Sequence, residues 1–419
     1  MITHKRLTIG LFGFGVVGEG IYQVLQQTPS LNASIKRVCI KHPEKKRNAD
    51  AGLFTTNYDE ILNDPEINLI VELIDDADEA YKIVTTSLKN KKSVVSANKK
   101  MIAEHLAELV GLQQEHDVSF LYEAAVCGSI PIIRNLEEYY DNDLLQSISG
   151  IVNGSTNYIL TKIGEGLSYK ESLLQAQQLG FAESNPKLDV EGFDAVNKLT
   201  ILLAHAYGVV SKPEDHVKIG ITRLQQSDAN YAKEKNFEIK LTAQTIKLSN
   251  GKVAGFVLPQ FVTTDSQLYN VKNEYNGVII ESKLADKQFL YGKGADRFPT
   301  SSAVISDISA LTYDYRYEYK KISRHEQYVL TNAYFLRVYV SFNDWAEVNR
   351  WDFEQVFEFH STDERQYITG LIQVDKLRNA KWFNDSSVSI ILLPEAVVEN
   401  EAVVGQTLKK ASLQLAGVN

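Results

Sequence analysis

The stretch ESNPKLDVEGFDAVNKL, residues 183–199, sets four carboxylates (Glu183, Asp189, Glu191, Asp194) and two lysines (Lys187, Lys198) directly before an apolar run, TILLAHAYG. Asp194 and Lys198 stand four residues apart, so in a helix they share one face. On a surface such a pair is worth only ~0.3–0.5 kcal/mol. Leu199, Ile201, Leu202 and Leu203 beside them argue instead for a buried helix. Charges taken out of water need opposite partners or a function that uses them. A carboxylate and an ammonium held beside apolar packing can bind a charged small molecule or move a proton.

A second chemical signature lies near the N-terminus. Gly13, Gly15 and Gly18 form G-x-G-x-x-G in GFGVVG, with Phe14, Val16 and Val17 between them. The first glycine permits a tight turn, the second lets a pyrophosphate approach the backbone, and the third allows close helix packing. The helix that follows offers free N–H groups to phosphate. A lone match of this kind is weak. Here it follows an apolar strand, RLTIGLF, and opens a helix, which is the context a dinucleotide site requires; a glycine-rich turn without ligand is the alternative. The next strand, IKRVCIKH, ends without the acid that would hold a ribose 2′-hydroxyl, and Lys41, Lys45, Lys46 and Arg47 lie there instead. Cations suit a 2′-phosphate and favour NADP over NAD. A solvated basic loop is the other reading.

These groups need a scaffold. A chain of 419 residues is too long for one ordinary core and implies two or three domains. Its 44% hydrophobic and 23% charged content suits a globular protein. The net charge of −9, with no basic tract beyond KHPEKKR, argues against nucleic acid as a partner. No apolar run is long enough for a bilayer, so no membrane partner is expected, and the N-terminus lacks a signal-peptide core. Cys39 and Cys127 are too few and too far apart for a disulfide framework or zinc spacing, so a reducing cytoplasm is expected.

Strand patterns RLTIGLF, IKRVCIKH, INLIVELI, SVVSAN and VSFLYEAAV alternate with helical ones such as ADEAYKIVTTSLKNK and KKMIAEHLAELVGLQQEH. That alternation predicts an α/β fold with a parallel sheet, an N-terminal Rossmann dinucleotide-binding domain over 1–133. Residues 134–312 read as an α+β domain. Its helices are IRNLEEYYDND, STNYILTKIGEG, SYKESLLQAQQLG and FDAVNKLTILLAHAYG. Strands follow, with a turn at Asn250-Gly251. PTSSAVISDISAL reads as a helix with Pro299 at its start, capped by Thr300 or Ser301. Residues 313–419 supply four strand candidates, YFLRVYVSF, DFEQVFEFHS, QYITGLIQV and SVSIILLP, for a small C-terminal α+β domain.

Taken in order, GFGVVG, VVSANKK, YEAAVCGSIPIIRNL, GIVNGSTNYIL, LDVEGFDAVNKLTILLAHAYG and GKGADRFPTSSAVISD resemble homoserine dehydrogenase from about Ile9 to Leu311. The resemblance implies NAD(P)-dependent interconversion of L-homoserine and L-aspartate 4-semialdehyde, in threonine and methionine biosynthesis. It implies a Rossmann domain, a central catalytic and dimerisation domain, and a homodimer or homotetramer. By resemblance, Ser96 and Lys99 in SANK meet cofactor, and Lys99 also meets substrate. Glu123 matches a carboxylate near a monovalent cation site, sodium, whose carbonyl ligands match Val126, Gly128 and Ile130; such hard oxygen ligation is chemically reasonable. Glu183 would bind the substrate ammonium, and Asp189 and Asp194 would orient the site. Lys198 would give the carbonyl oxygen its proton in reduction and take it back in oxidation. Gly294 would touch substrate or nicotinamide through its backbone. Asn153, Gly154, Ser155, Thr156 and Asn157 match substrate-side polar positions, with turn chemistry and N-capping as the alternative. The carboxylates of the opening stretch then have two tasks: they hold a cationic substrate group and keep a lysine charged beside apolar packing.

Two features depart from the family pattern. Asp75 and Asp76 follow the third strand, where cofactor phosphate or ribose would pass, unless they turn outward or cap the next helix. Many family members end in an ACT domain, a βαββαβ regulatory module. YFLRVYVSF resembles its first strand, but NDWAEVNRWDFEQ replaces the expected glycine-containing ligand loop. A degenerate ACT-like domain without amino-acid feedback is therefore expected. Two other functions stay open: a non-catalytic Rossmann-type cofactor sensor, and a dehydrogenase of another small carbonyl compound.

Overall fold

The computed structural model describes residues 5–142, 144–324, 327–362 and 366–399. Contacts group the chain into two compact units: residues 1–143, 200–213 and 291–327, and residues 144–199, 214–290 and 328–419. Among the described residues no helix is long and apolar enough to cross a membrane.

The first unit contains strands β1 (Leu7–Phe12), β2 (Ala33–Cys39), β3 (Phe54–Thr55), β4 (Leu69–Glu72), β5 (Ser93–Ser96) and β6 (Phe120–Leu121). They form a parallel sheet in the order β3-β2-β1-β4-β5-β6. Helices α1 (Val16–Gln27), α2 (Asp59–Leu62), α3 (Ala77–Lys89) and α4 (Lys99–His116) make the crossovers, and α5 (Ile132–Glu138) follows. In β1, Leu7, Ile9, Leu11 and Phe12 are all buried, as a parallel strand covered on both faces requires. Successive strands run outward from β1 in opposite directions, through β2 and through β4. The carboxyl ends of these two neighbours therefore flank a topological switch point, the place where such sheets bind dinucleotides.

VSFLYEAAV pairs as a strand only over Phe120–Leu121, because Glu123 turns back to α5. The helix carrying PTSSAVISD runs Arg297–Leu311, two residues longer at its start than Pro299 suggested. Asp296, not Thr300 or Ser301, caps it, accepting from Arg297 N at 2.7 Å. The Ser301 hydroxyl donates to the Arg297 carbonyl at 2.6 Å. This helix packs on α1 where Gly20 leaves room; a Cβ there would lie 2.5 Å from Ser301 Oγ. Arg297 pairs with Glu19 at 2.9 Å.

The second unit is built on strands β7 (Leu145–Ile151), β8 (Val217–Lys218), β9 (Glu238–Lys247), β10 (Val253–Val262), β11 (Tyr275–Ser282) and β12 (Asp286–Lys293). Helices α6 (Gly154–Gly164), α7 (Tyr169–Gln178), α8 (Lys187–Val190) and α9 (Phe193–Tyr207) precede β8, and the division between units falls inside α9. The Asn250-Gly251 turn joins β9 to β10 with Gly251 at φ 75. Later strands are β13 (Phe335–Phe342), β14 (Gln355–Ser361), β15 (Gln366–Gln373) and β16 (Ser389–Val398). The sheet order is β12-β11-β7-β9-β10-β16-β13-β15-β14, with β8 also on β10.

The last region was expected as a separate small domain over 313–419. Its described strands instead continue the central sheet, with Gln260 of β10 paired to Leu392 of β16. Phe256 and Leu258 share one buried core with Leu336, Val340, Trp382 and Ile390. One buried core therefore spans that seam. Residues 400–419 of the expected domain lie outside the described residues.

Candidate active site

In the second unit, the pair that opened the sequence is an ion pair. Lys198 Nζ lies 2.7 Å from Asp194 Oδ2, with side chains 8% and 5% exposed. Placement follows from α9, whose Ala195, Val196, Leu199 and Leu202 are buried and draw the polar face inward with them. Lys198 Nζ also donates to the Val152 carbonyl at 2.7 Å. An ammonium has three N–H groups, so a third remains for a ligand oxygen.

Asn153 organises the acids. Its amide donates to Asp194 Oδ2 at 2.9 Å and to Asp189 Oδ1 at 2.7 Å. Its carbonyl oxygen caps α6, accepting from Thr156 N at 2.8 Å. One side chain thus ties the start of α6 to α8 and α9. Ser155 and Asn157 of NGSTN tie α6 to distant backbone. Ser155 donates to the Phe181 carbonyl, and Asn157 donates to the carbonyls of Val271, Asn273 and Tyr275. Glu183 is not in this bonded cluster. Its carboxylate is exposed and has no hydrogen-bond partner among the described residues, while its backbone carbonyl accepts from Gln177.

In the first unit, Gly13 takes φ +95 at the end of β1, and a Cβ there would lie 2.8 Å from the Leu73 carbonyl. A Cβ on Gly18 would lie 2.4 Å from the Gly13 carbonyl oxygen. A Cβ on Gly15, by contrast, would meet no protein atom within 4 Å. Gly13 and Gly18 are therefore fixed by the fold, whereas Gly15 faces open space. Gly15 is also the N-cap of α1 and supplies no side-chain cap, which leaves the helix N–H groups for an anion. This loop fits a dinucleotide pyrophosphate. Phe14 packs edge-on against Tyr22 and Phe54, and Val16 is exposed. Arg47 lies over the Phe54 ring at 5.5 Å, while Lys41 is exposed.

The carboxyl ends of β4 and β5 are joined by residues that the pattern reading missed. Glu72 is fully buried and accepts from Ile74 N at 2.7 Å and Ser96 Oγ at 2.5 Å. Burial pushes its pKa up to about 7. Ser96, expected at the cofactor, is itself buried in this network, and its hydroxyl accepts from Asn98 N. Asn98 caps α4 and donates to the Ile74 carbonyl, setting half-buried Lys99 on the first helical turn. Asp76 caps α3 through Asp78 N and Glu79 N, both at 3.1 Å, so its charge serves the helix. Exposed Asp75 remains beside the crevice.

Glu123, expected near a cation, is bonded to the backbone of α5. Its two oxygens accept from Ile133 N at 2.8 Å and Arg134 N at 2.9 Å, at the start of α5. Burial pushes its pKa up to about 8, and its neighbour Asp307 up to about 6. Asp307 is tied to Arg134 at 2.6 Å. Of the carbonyls expected at the cation, that of Ile130 accepts from Ile132 N. Gly128, at φ +53, lies against Gly294: a Cβ on it would be 2.6 Å from the Gly294 carbonyl oxygen. The loop that carries Gly128 and the Gly294 segment are thus in backbone contact. A single carboxylate between apolar residues gave no signal that would separate capping from ligation.

Comparisons with known proteins match both the N-terminal and the central part of the chain. The family described as Homoserine dehydrogenase matches residues 131–309, and its NAD binding domain matches residues 13–123. The homoserine dehydrogenase of Bacillus subtilis is 34% identical over 322 residues, 74% of either chain. That of Synechocystis sp. is 37% identical over 315 residues, 72% of either chain. The crystal structure of a homoserine dehydrogenase from Thiobacillus denitrificans matches with TM-score 0.81 at 28% identity, covering 94% of this chain and 99% of that one. A hyperthermophilic archaeal homoserine dehydrogenase in complex with NADPH matches with TM-score 0.65 at 25% identity, covering 75% of this chain and 99% of that one.

Proposed function

Because the chain belongs to the homoserine dehydrogenase family, we propose that the bonded set Lys198, Asp194, Asn153 and Asp189 is its catalytic centre. The enzyme is an NAD(P)-dependent oxidoreductase that interconverts L-homoserine and L-aspartate 4-semialdehyde, a step toward threonine and methionine. The observation that carries the site is the buried ammonium with two partners and one N–H to spare.

The nicotinamide, when bound, gives a hydride to the semialdehyde carbon or takes it from homoserine. Lys198 aims its remaining N–H at the substrate oxygen and donates that proton as negative charge develops there. In the other direction neutral Lys198 takes the hydroxyl proton. Asp194 holds the ammonium in place through the 2.7 Å ion pair. Asn153 fixes both Asp194 and Asp189, so the acids do not wander between turnovers. Exposed Glu183 receives the substrate ammonium, and Lys99, on the first turn of α4, meets cofactor and substrate. Ser96 acts on the cofactor crevice through Glu72 and the N–H of Asn98.

NADP is the preferred cofactor, with Lys41 and Arg47 on its 2′-phosphate. The lack of an acid at the end of β2 itself and the guanidinium on Phe54 support this. Sodium is held by the carbonyls of Val126, Gly128 and Ile130, with Glu123 supporting the loop rather than ligating. The boundaries 133/134 and 312/313 mark the inherited domains. The C-terminal part is a degenerate ACT-like module, supported by the order β16-β13-β15-β14 and the helix Val374–Asn379 before β16. A three-residue turn, Arg350–Asp352, stands where its first helix would be. The working state is a homodimer or homotetramer in the cytoplasm; two buried cysteines outside any disulfide suit that compartment.

The test is turnover of aspartate semialdehyde with NADPH and with NADH, in sodium and in tetramethylammonium buffer. Faster turnover per unit NADPH, with the advantage cut ~10-fold or more in Arg47→Ala, is expected for loss of a charge-assisted phosphate contact. Equal use of both cofactors that Arg47→Ala leaves unchanged would refute the cofactor assignment.

A further inference from the structure

The second unit carries a recess remote in sequence from every residue assigned above. It has a volume of about 500 Å³, within the range of small-molecule sites. Its walls are aromatic, from Tyr231, Phe237 and Phe357, and Pro394 closes one side. Two cations, Lys235 and Arg337, line it, and among the described residues no carboxylate does.

The walls are fixed before any ligand arrives. The Tyr231 ring lies tilted at 4.6 Å from Tyr339 and packs on Phe261, against which Phe237 also lies at 5.7 Å. Helix Gln226–Glu234, which supplies Tyr231, is tied to β13 by buried Asp228, whose carboxylate accepts from Ser341 Oγ at 2.6 Å. Phe357 stands on edge strand β14 and is 46% exposed, an apolar surface with a cost in water and a use against a ligand. Glu395 lies 3.4 Å from Arg337 and is 87% exposed, a weak partner that a ligand carboxylate can displace. In a chain of net charge −9, a cationic pocket with aromatic walls selects by sign as well as by shape.

We propose that this recess binds a small carboxylate with an aromatic body. The ring lies between Phe237 and Phe357, and the carboxylate meets Arg337 and Lys235. The site is independent of the hydride-transfer chemistry, and its test does not depend on turnover. Calorimetric titration of the full-length protein would use 3-phenylpropionate and its neutral analogue 3-phenylpropionamide as probes. The acid is expected to bind ~10-fold or more tightly than the amide, the difference one charge-assisted pair supplies. The double variant Lys235→Gln/Arg337→Gln should lose that preference while keeping the amide's affinity, and Phe357→Ala should weaken both probes. Equal binding of acid and amide, undiminished preference in the double variant, or no binding of the acid at ~10 mM would each overturn the proposal.

Discussion

Lys198 and Asp194 were legible because an i, i+4 pair beside an apolar run has few stable explanations, and the structure makes them a buried ion pair. Lys240 was not. On β9 the alternation Ile239, Lys240, Leu241, Thr242, Ala243 puts lysine on a solvent face, yet both faces are buried. Its ammonium donates to the Val271 carbonyl at 2.6 Å and to Asn157 Oδ1 at 3.3 Å. Burial pulls its pKa down from 10.5 to about 7. Between those values the unfolded chain binds the proton that the folded chain has lost, so this residue makes stability rise with pH across that window. Lys240→Met removes the effect. The stability of wild type relative to the variant should therefore increase from pH 7 to 10 by up to ~1.4 kcal/mol per unit. Parallel denaturation midpoints across that range would show that the lysine is not desolvated. Glu72 escaped for a related reason: an acid ending LIVE reads as a strand terminus, and only the fold reveals that Ser96 and Ile74 close over it.

At the scale of elements, the glycine loop separates what the fold needs from what the cofactor needs. Gly18→Ala would drive a Cβ to 2.4 Å from the Gly13 carbonyl, whereas a Cβ on Gly15 enters empty space. Gly18→Ala should lower stability by ~1–3 kcal/mol through forced displacement of α1. Gly15→Ala should leave the thermal midpoint close to that of wild type and weaken NADPH binding ~10-fold or more. Differential scanning fluorimetry with an NADPH titration distinguishes them; a destabilised Gly15→Ala that binds NADPH normally would contradict the assignment. The strands and helices flanking this loop were readable because apolar period and turn chemistry agree there. Element ends were less so. The Arg297 helix starts on Asp296, a favoured cap residue whose φ of 96 the sequence pattern does not announce.

At the scale of the molecule, the parallel N-terminal sheet was predictable from alternation, whereas the seam between β10 and β16 was not. That seam joins residues more than a hundred positions apart, and sequence period carries no information on such pairing. Its consequence is cooperative stability. Trp382 is 2% exposed and stacks on Phe353 in the core that also contains Phe256. Trp382→Ala should cost ~3–5 kcal/mol, and the loss should appear in the transition that also unfolds β9 and β10, as read by hydrogen exchange. Loss of protection confined to 335–399 would instead mean an autonomous C-terminal domain.

The central claim concerns one proton on one nitrogen. The measurement that tests it most directly is the rate of NADPH oxidation by aspartate semialdehyde in wild type and Lys198→Met, with NADPH affinity measured on both. A loss of general acid catalysis predicts kcat lower by ~10²–10⁴-fold, with NADPH bound as tightly as in wild type. A Lys198→Met enzyme that keeps wild-type kcat would place the proton donor elsewhere and contradict the account.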